Sequence, residues 1–108
     1  MGNYVTLVKD ILSEYAKFPP SHGQIQSQLI FDDDNENYQL MFIGWDIDRR
    51  VHSIVIHIRL INSKIWIEWD GTPEGVALKF LKHGVPREDI VLGFQPPEMR
   101  QYTEFAVA

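Results

Sequence analysis

The 108-residue chain contains no cysteine. That excludes disulfides, thiolate metal sites and a cysteine nucleophile. It also lacks any run of the ~18 to 20 apolar residues that a membrane-spanning helix needs. The opening MGNYVTLVKDILSEY breaks its apolar pattern with acids and offers no cleavage site, so it does not read as a secretory leader. Met1-Gly2-Asn3 followed by Thr6 has the spacing of a myristoylation signal, but that motif is short and common. Basic residues are sparse: ten Lys and Arg stand against fifteen Asp and Glu, a net charge of −5. Nucleic-acid binders gather bases to neutralise phosphates. Here the bases are scattered, and the one tight pair is Arg49-Arg50. These features predict a cytoplasmic protein with no membrane association.

What remains is an ordinary globular composition, 44% hydrophobic, 12% aromatic and 23% charged. The length suits one domain spanning residues 1–108. From Tyr4 to Phe18, Val5, Val8, Leu12 and Tyr15, with Leu7, Ile11 and Ala16 beside them, follow helical spacing, and Pro19-Pro20 ends that helix. The period then drops to two. Ile25, Ser27, Leu29 and Phe31 alternate with Gln26, Gln28, Ile30 and Asp32, the DDDNEN turn (32–37) leads into YQLMFIGW (38–45), and DIDR turns into VHSIVIHIRLI (51–61). Asn62-Ser63 connects tightly to KIWIEW (64–69). Strict alternation puts Ile54, Ile56, Ile58 and Leu60 on one face, and Ile65, Ile67 and Trp69 likewise. Short loops predict a four-stranded antiparallel meander.

DGTPEGVALKFLKHG (70–84) reads as a second helix. Thr72 is a good N-cap, Pro73 suits the first helical position, and Gly84 fits a left-handed C-terminal cap. A short helical turn starts at Pro86. The expected fold is therefore α+β: the meander with an N-terminal helix and a helix after its last strand packed on it, then an irregular apolar tail.

Chemistry is hard to find in this pattern. There is no phosphate loop, zinc signature or serine elbow. Read as a calcium loop from Asp32, the acidic run puts Asn37 where glycine is required and Ile43 where glutamate is. A solvated hairpin turn explains it better. His52 and His57 stand at odd separation on one strand, so strict alternation sends them to opposite faces. Glu68, Asp70 and Glu74 cluster at the turn into the second helix, where turn formation and capping account for them. Of Trp45, Trp66 and Trp69, Trp66 lies beside Lys64 and Glu68, opposite the apolar face, and reads as the most exposed. No catalytic residue, cofactor or metal is expected, and the chain reads as a non-enzyme.

The tail is the unusual part. DIVLGFQPPEMRQYTEFAVA (89–108) carries Ile90, Val91, Leu92, Phe94, Met99, Tyr102, Phe105 and Val107 where chain ends are usually polar. Together with IWIEWDGTPEG, PREDIVLGF, the opening VKDILSEYAKFPPSHG and the central YQLMFIGWDIDRRVHSIVIHI, it resembles the XisI family, the fdxN element excision controlling factors found mostly in cyanobacteria. The resemblance runs over essentially the whole chain. It implies a regulatory accessory role in excising a DNA element, exercised beside a nuclease-like protein of the XisH type. Related sequences often have histidine where this chain has Gln95, and glutamine cannot replace a general base. That departure favours packing or docking over catalysis for the block.

Two functional readings follow. In the first, the chain binds the XisH-type partner, with Trp66, Met99, Arg100, Tyr102 and Phe105 as candidate contacts and a homodimer as a further assembly. In the second, it touches DNA directly through Arg49 and Arg50. The acidic balance favours the first, because an acidic surface can compete with phosphate for a DNA-handling protein. For the tail there is a third role, to cover its own sheet.

Overall fold

The computed structural model describes residues 4–108, so the myristoylation motif at Met1-Gly2-Asn3 lies outside the described residues. Helix α1 runs Val5–Ala16 and buries Val8, Ile11 and Leu12, the i, i+3, i+4 stripe of the sequence. Four strands follow: β1 (Gln24–Asp32), β2 (Asn37–Asp46), β3 (Arg49–Ile61) and β4 (Lys64–Asp70). Helix α2 spans Val76–Lys82, and a three-residue strand β5 (Ile90–Leu92) closes the sheet.

The sheet has five strands in the order β1-β2-β3-β4-β5. The first four pair antiparallel, as the meander predicts, but β5 pairs parallel with β4. The expected four-stranded antiparallel sheet is therefore corrected to a mixed one. The crossover through α2 returns the chain to the same end of the sheet, which makes β5 parallel. Three residues are too few to show a period of two.

The turns have local causes. Asn62 and Ser63 both take left-handed backbone, φ 52° and 64°, the two-residue hairpin turn whose twist matches its strands. At the first hairpin the Asp32 carboxylate accepts the Asn35 amide N–H and side-chain NH₂ at 3.2 and 2.7 Å. Gly44 is needed because a Cβ there would lie 2.0 Å from the Gln24 carbonyl oxygen.

Two bulges change which side chains share a face. In the β2–β3 ladder Leu40 pairs with Ile56 but Met41 pairs with Ile54, leaving Val55 as the extra residue. In β3–β4, His57 pairs with Trp69 but Ile58 pairs with Ile67, leaving Glu68 extra. Ile54 and Trp69 therefore leave the face on which strict alternation puts them. They join Met41 on the opposite, outer side. The same bulge brings His52 and His57 onto one face, with Ile54 between them.

The inner face carries Tyr38, Leu40, Ile56, Ile58, Leu60, Ile65, Ile67 and Ile90, all buried against α1 and α2. Helix α2 begins later than its sequence predicts. Thr72 is not its N-cap. Asp70 instead accepts the Thr72 N–H and hydroxyl on Oδ1, at 2.9 and 2.6 Å, and the Val76 N–H on Oδ2 at 2.8 Å. Thr72 Oγ1 accepts the Gly75 N–H at 3.1 Å. The turn from Asp70 to Gly75 takes the backbone hydrogen bonds that a longer helix would have used. At the other end Gly84 (φ 91°) is the left-handed cap. Its N–H bonds the Leu81 carbonyl at 3.0 Å, and the Val85 N–H bonds that of Phe80 at 3.1 Å.

Candidate functional site

The C-terminal block folds back on its own sheet. The Phe94 N–H donates to the Ile67 carbonyl at 3.3 Å, and the Ala106 N–H to the Ile90 carbonyl at 2.9 Å. Ala106 bridges Val91 in parallel, on the side of β5 away from β4. Val91 points to the outer face with Trp66, its partner in the β4–β5 register, yet Val91 is fully buried. The tail is what covers it. A 3₁₀ helix, Pro97–Tyr102, aims Arg100 across this patch. Its guanidinium lies 5.1 Å from the Trp66 ring centre and donates to the carbonyls of Gln95 and Gly93 at 3.2 and 3.4 Å. Nearby, Arg87 pairs with Glu104 at 2.6 Å and lies over the Phe105 ring, which packs against the main core.

Of the five candidate partner contacts, Trp66, Arg100 and Phe105 are thus engaged inside the domain. Met99 and Tyr102 remain outside, with Tyr102 76% exposed. Trp66 is only half-buried, and it is Trp45 and Trp69 that stand out further, at 50% and 55% exposure. The expectation that Trp66 is the most exposed tryptophan is corrected, because Arg100 covers it and the Glu68 bulge turns Trp69 outward.

Beyond the tail, none of the described residues covers the outer face from β4 across to β1. Ile30, Trp45, Ile54 and Trp69 are each exposed on it. Met41, His52, Ser53, Ile54 and Trp69 line an open groove of about 560 Å³. Monomeric proteins rarely leave contiguous apolar surface of this kind without a use for it. Its rim is mixed in charge. Arg59 pairs with Glu68 at 3.3 Å, and His57 Nε2 lies 2.6 Å from the Asn37 side-chain oxygen. Desolvation holds the His57 imidazole below its usual pKa, with Arg59 adding to the effect and Glu68 opposing it, so it is neutral at pH 7.

Arg49 and Arg50 sit at the start of β3 and are both exposed. They diverge in role: Arg49 pairs with Asp46 at 3.4 Å, while Arg50 lies 5.2 Å over the Trp45 ring and reaches the Gly44 carbonyl at 3.4 Å. Between them and β2, Ile47 stands 92% exposed in left-handed backbone, φ 61°, an uncommon position for a β-branched residue.

Among the described residues no three His, Asp or Glu converge to hold a metal ion. Nor is any of their helices long and apolar enough to cross a membrane. Of the three carboxylates at the turn, Asp70 caps α2 and Glu68 pairs with Arg59. Tyr4 and Tyr38 have phenols pushed up to about 12. Tyr4 is held neutral chiefly by its hydrogen bond to Asp89, at 2.5 Å, and Tyr38 chiefly by burial. Tyr4 fastens the start of α1 to the segment before β5, and Tyr38 bonds Asp33 in the turn of its own hairpin.

Residues missed by sequence reasoning are Ile54, Trp69 and Ile47. The first two are hidden by the bulges. For Ile47 a signal existed, an exposed isoleucine in a two-residue turn where Asn or Gly is expected.

With this geometry in hand, the chain can be set beside known proteins. The XisI protein family model matches residues 1–107, so the chain belongs to the XisI family. Among solved structures, a XisI-like protein from Anabaena variabilis is 42% identical, with 97% of this chain and 96% of that one covered and a TM-score of 0.90. The fdxN element excision controlling factor XisI from Anabaena variabilis is 35% identical over the same shares, with a TM-score of 0.82. No curated protein matches.

Proposed function

We propose that the chain is a non-enzymatic regulator of DNA-element excision that acts by binding a protein partner of the XisH nuclease-like type. The observation that carries this reading is the uncovered outer face. Ile54 and Trp69 are placed there by two bulges, beside Met41, when strict alternation would have buried them. Bulges that re-aim apolar side chains into solvent are costly unless something covers those side chains, and aromatic anchors dominate protein interfaces. Family membership supplies the process, since a 35% identical relative is an excision controlling factor. Met99 and Tyr102, exposed on the tail, are further contacts in this reading.

The test is co-purification with a tagged XisH-type protein from the same genome at moderate salt. The folded chain associates, and Trp69→Ser or Ile54→Ser abolishes association while the circular-dichroism melt is retained. Failure of the folded wild-type chain to associate overturns the reading.

A second reading, direct DNA contact, is favoured by one observation. Arg50 stacked on exposed Trp45 presents a cation and an aromatic surface together on an open sheet, a combination that suits single-stranded nucleic acid. Binding through it would weaken steeply with salt and be lost in Arg50→Ala.

A further inference from the structure

The edge of the sheet formed by β1 is unguarded. Its nine residues, QIQSQLIFD, contain no Lys, Arg or Pro, and the β1–β2 ladder has no bulge. The devices that normally keep an edge strand from pairing with another chain are absent from it.

The backbone groups that face outward can be identified. The Leu60 N–H donates to the Glu36 carbonyl at 3.0 Å, flanking the Asn37–Arg59 pair. In an antiparallel ladder that pattern makes Asn37 a non-hydrogen-bonded position toward β3, so its own N–H and C=O face β1. Asp32, its partner, therefore points its backbone groups at β2, as do Ile30, Gln28, Gln26 and Gln24. The N–H and C=O groups of Ile25, Ser27, Leu29 and Phe31 point to the open edge. The Leu29 carbonyl is met only by the neighbouring Gln28 side chain, at 3.3 Å.

We infer that this edge pairs with the same edge of a second copy, antiparallel, about a two-fold axis at Gln28. In that register Ile25 lies opposite Phe31 of the mate and Ser27 opposite its Leu29, so every outward N–H and C=O on both strands finds a partner. The side chains agree with it. On the inner face half-exposed Ile25 and Phe31 cover each other. On the outer face Gln26 faces Ile30, and the only charge on the strand, Asp32, faces neutral Gln24 instead of its own copy. A register centred on Asp32 or displaced toward it brings the carboxylates together, which is unfavourable. The two-fold is closed, because pairing consumes the one free sheet edge among the described residues, and the product is a dimer with a continuous ten-stranded sheet. It leaves the groove at Trp69 open, so dimerisation and partner binding are independent.

Sedimentation equilibrium of the full chain, from roughly 1 μM to 500 μM to span weak association, reads the outcome against the 12.6 kDa monomer. A reversible dimer is expected. Ser27→Pro removes an outward N–H and no bond to β2, and weakens association by about tenfold or more. Gln28→Lys and Gln28→Glu each weaken it several-fold by placing like charges on the axis, and an equimolar mixture of the two restores it. Gln28 is exposed, so at concentrations where the wild type is monomeric both variants keep its melting temperature. A wild-type chain that stays monomeric throughout, or a dimer indifferent to all three substitutions, overturns the inference.

Discussion

The two edges of the sheet are finished in opposite ways. At the β5 edge the strand is three residues long, and the chain then returns to place Ala106 beside Val91 and Arg100 over Trp66. At the β1 edge nine residues run without a bulge and uncharged up to Asp32, with four residues' backbone groups open. The difference lies in where the apolar sequence goes. The tail has enough of it to cover Val91 and half of Trp66, and it does so from one side only. The outer face from Trp69 to β1 is covered by none of the described residues. The closed edge is therefore a matter of folding, and the open face and edge are where other molecules have room to act.

The largest expected effect comes from breaking the closed edge. Removing residues 97–108 exposes Val91 and the outer flank of β5, and lowers the melting temperature by about 10 °C or more. A truncated chain that melts like the full one would mean that the tail is an appendage. Next in size is Asp70→Ala. It strips the bonds that begin α2, the element that delivers β5 to its parallel position, and costs about 1–2 kcal/mol by denaturant titration. Ala106→Pro removes the N–H donated to Ile90 and costs about 1 kcal/mol.

On the open side the effects are smaller. His57 has its folded pKa depressed by desolvation, so the unfolded chain takes up the proton first. The His57 contribution is constant above about pH 6.5, the unfolded value, and declines as pH falls from there to the folded pKa. His57→Gln flattens that part of the stability–pH curve. The smallest change is Ser27→Ala. The Ser27 hydroxyl is buried under the open strand without a hydrogen-bond partner, and deleting it leaves stability within about 0.5 kcal/mol of wild type.

Much of this contrast was legible before the structure. The Val8, Ile11, Leu12 stripe, the hairpin at Asn62-Ser63 and the cap at Gly84 rest on local chemistry, and local chemistry is what a sequence displays. The apolar tail also announced its importance, although not whether it packs inward or outward. The bulges at Val55 and Glu68 were not legible, since a bulge is a misfit between two strands and neither strand alone records it. Through them Ile54 and Trp69 changed face and His52 joined His57. Strand β5 was missed for a related reason: Ile90–Leu92 becomes a strand only because β4 offers an edge there. The late start of α2 reflects competition, in which the Asp70 side chain takes the Val76 N–H that a helix starting at Thr72 would have bonded to its own backbone.

Residue-resolved amide hydrogen exchange across a range of protein concentration compares the two edges in one experiment. The Ala106 amide is predicted to be protected equally at every concentration, because its bond to Ile90 lies within one chain. The amides of Ile25, Ser27, Leu29 and Phe31 exchange fast when dilute and slow as concentration rises, while Gln26 and Gln28, bonded to β2, stay protected throughout. Fast exchange at Ala106 together with concentration-independent exchange along β1 would contradict the account at both edges.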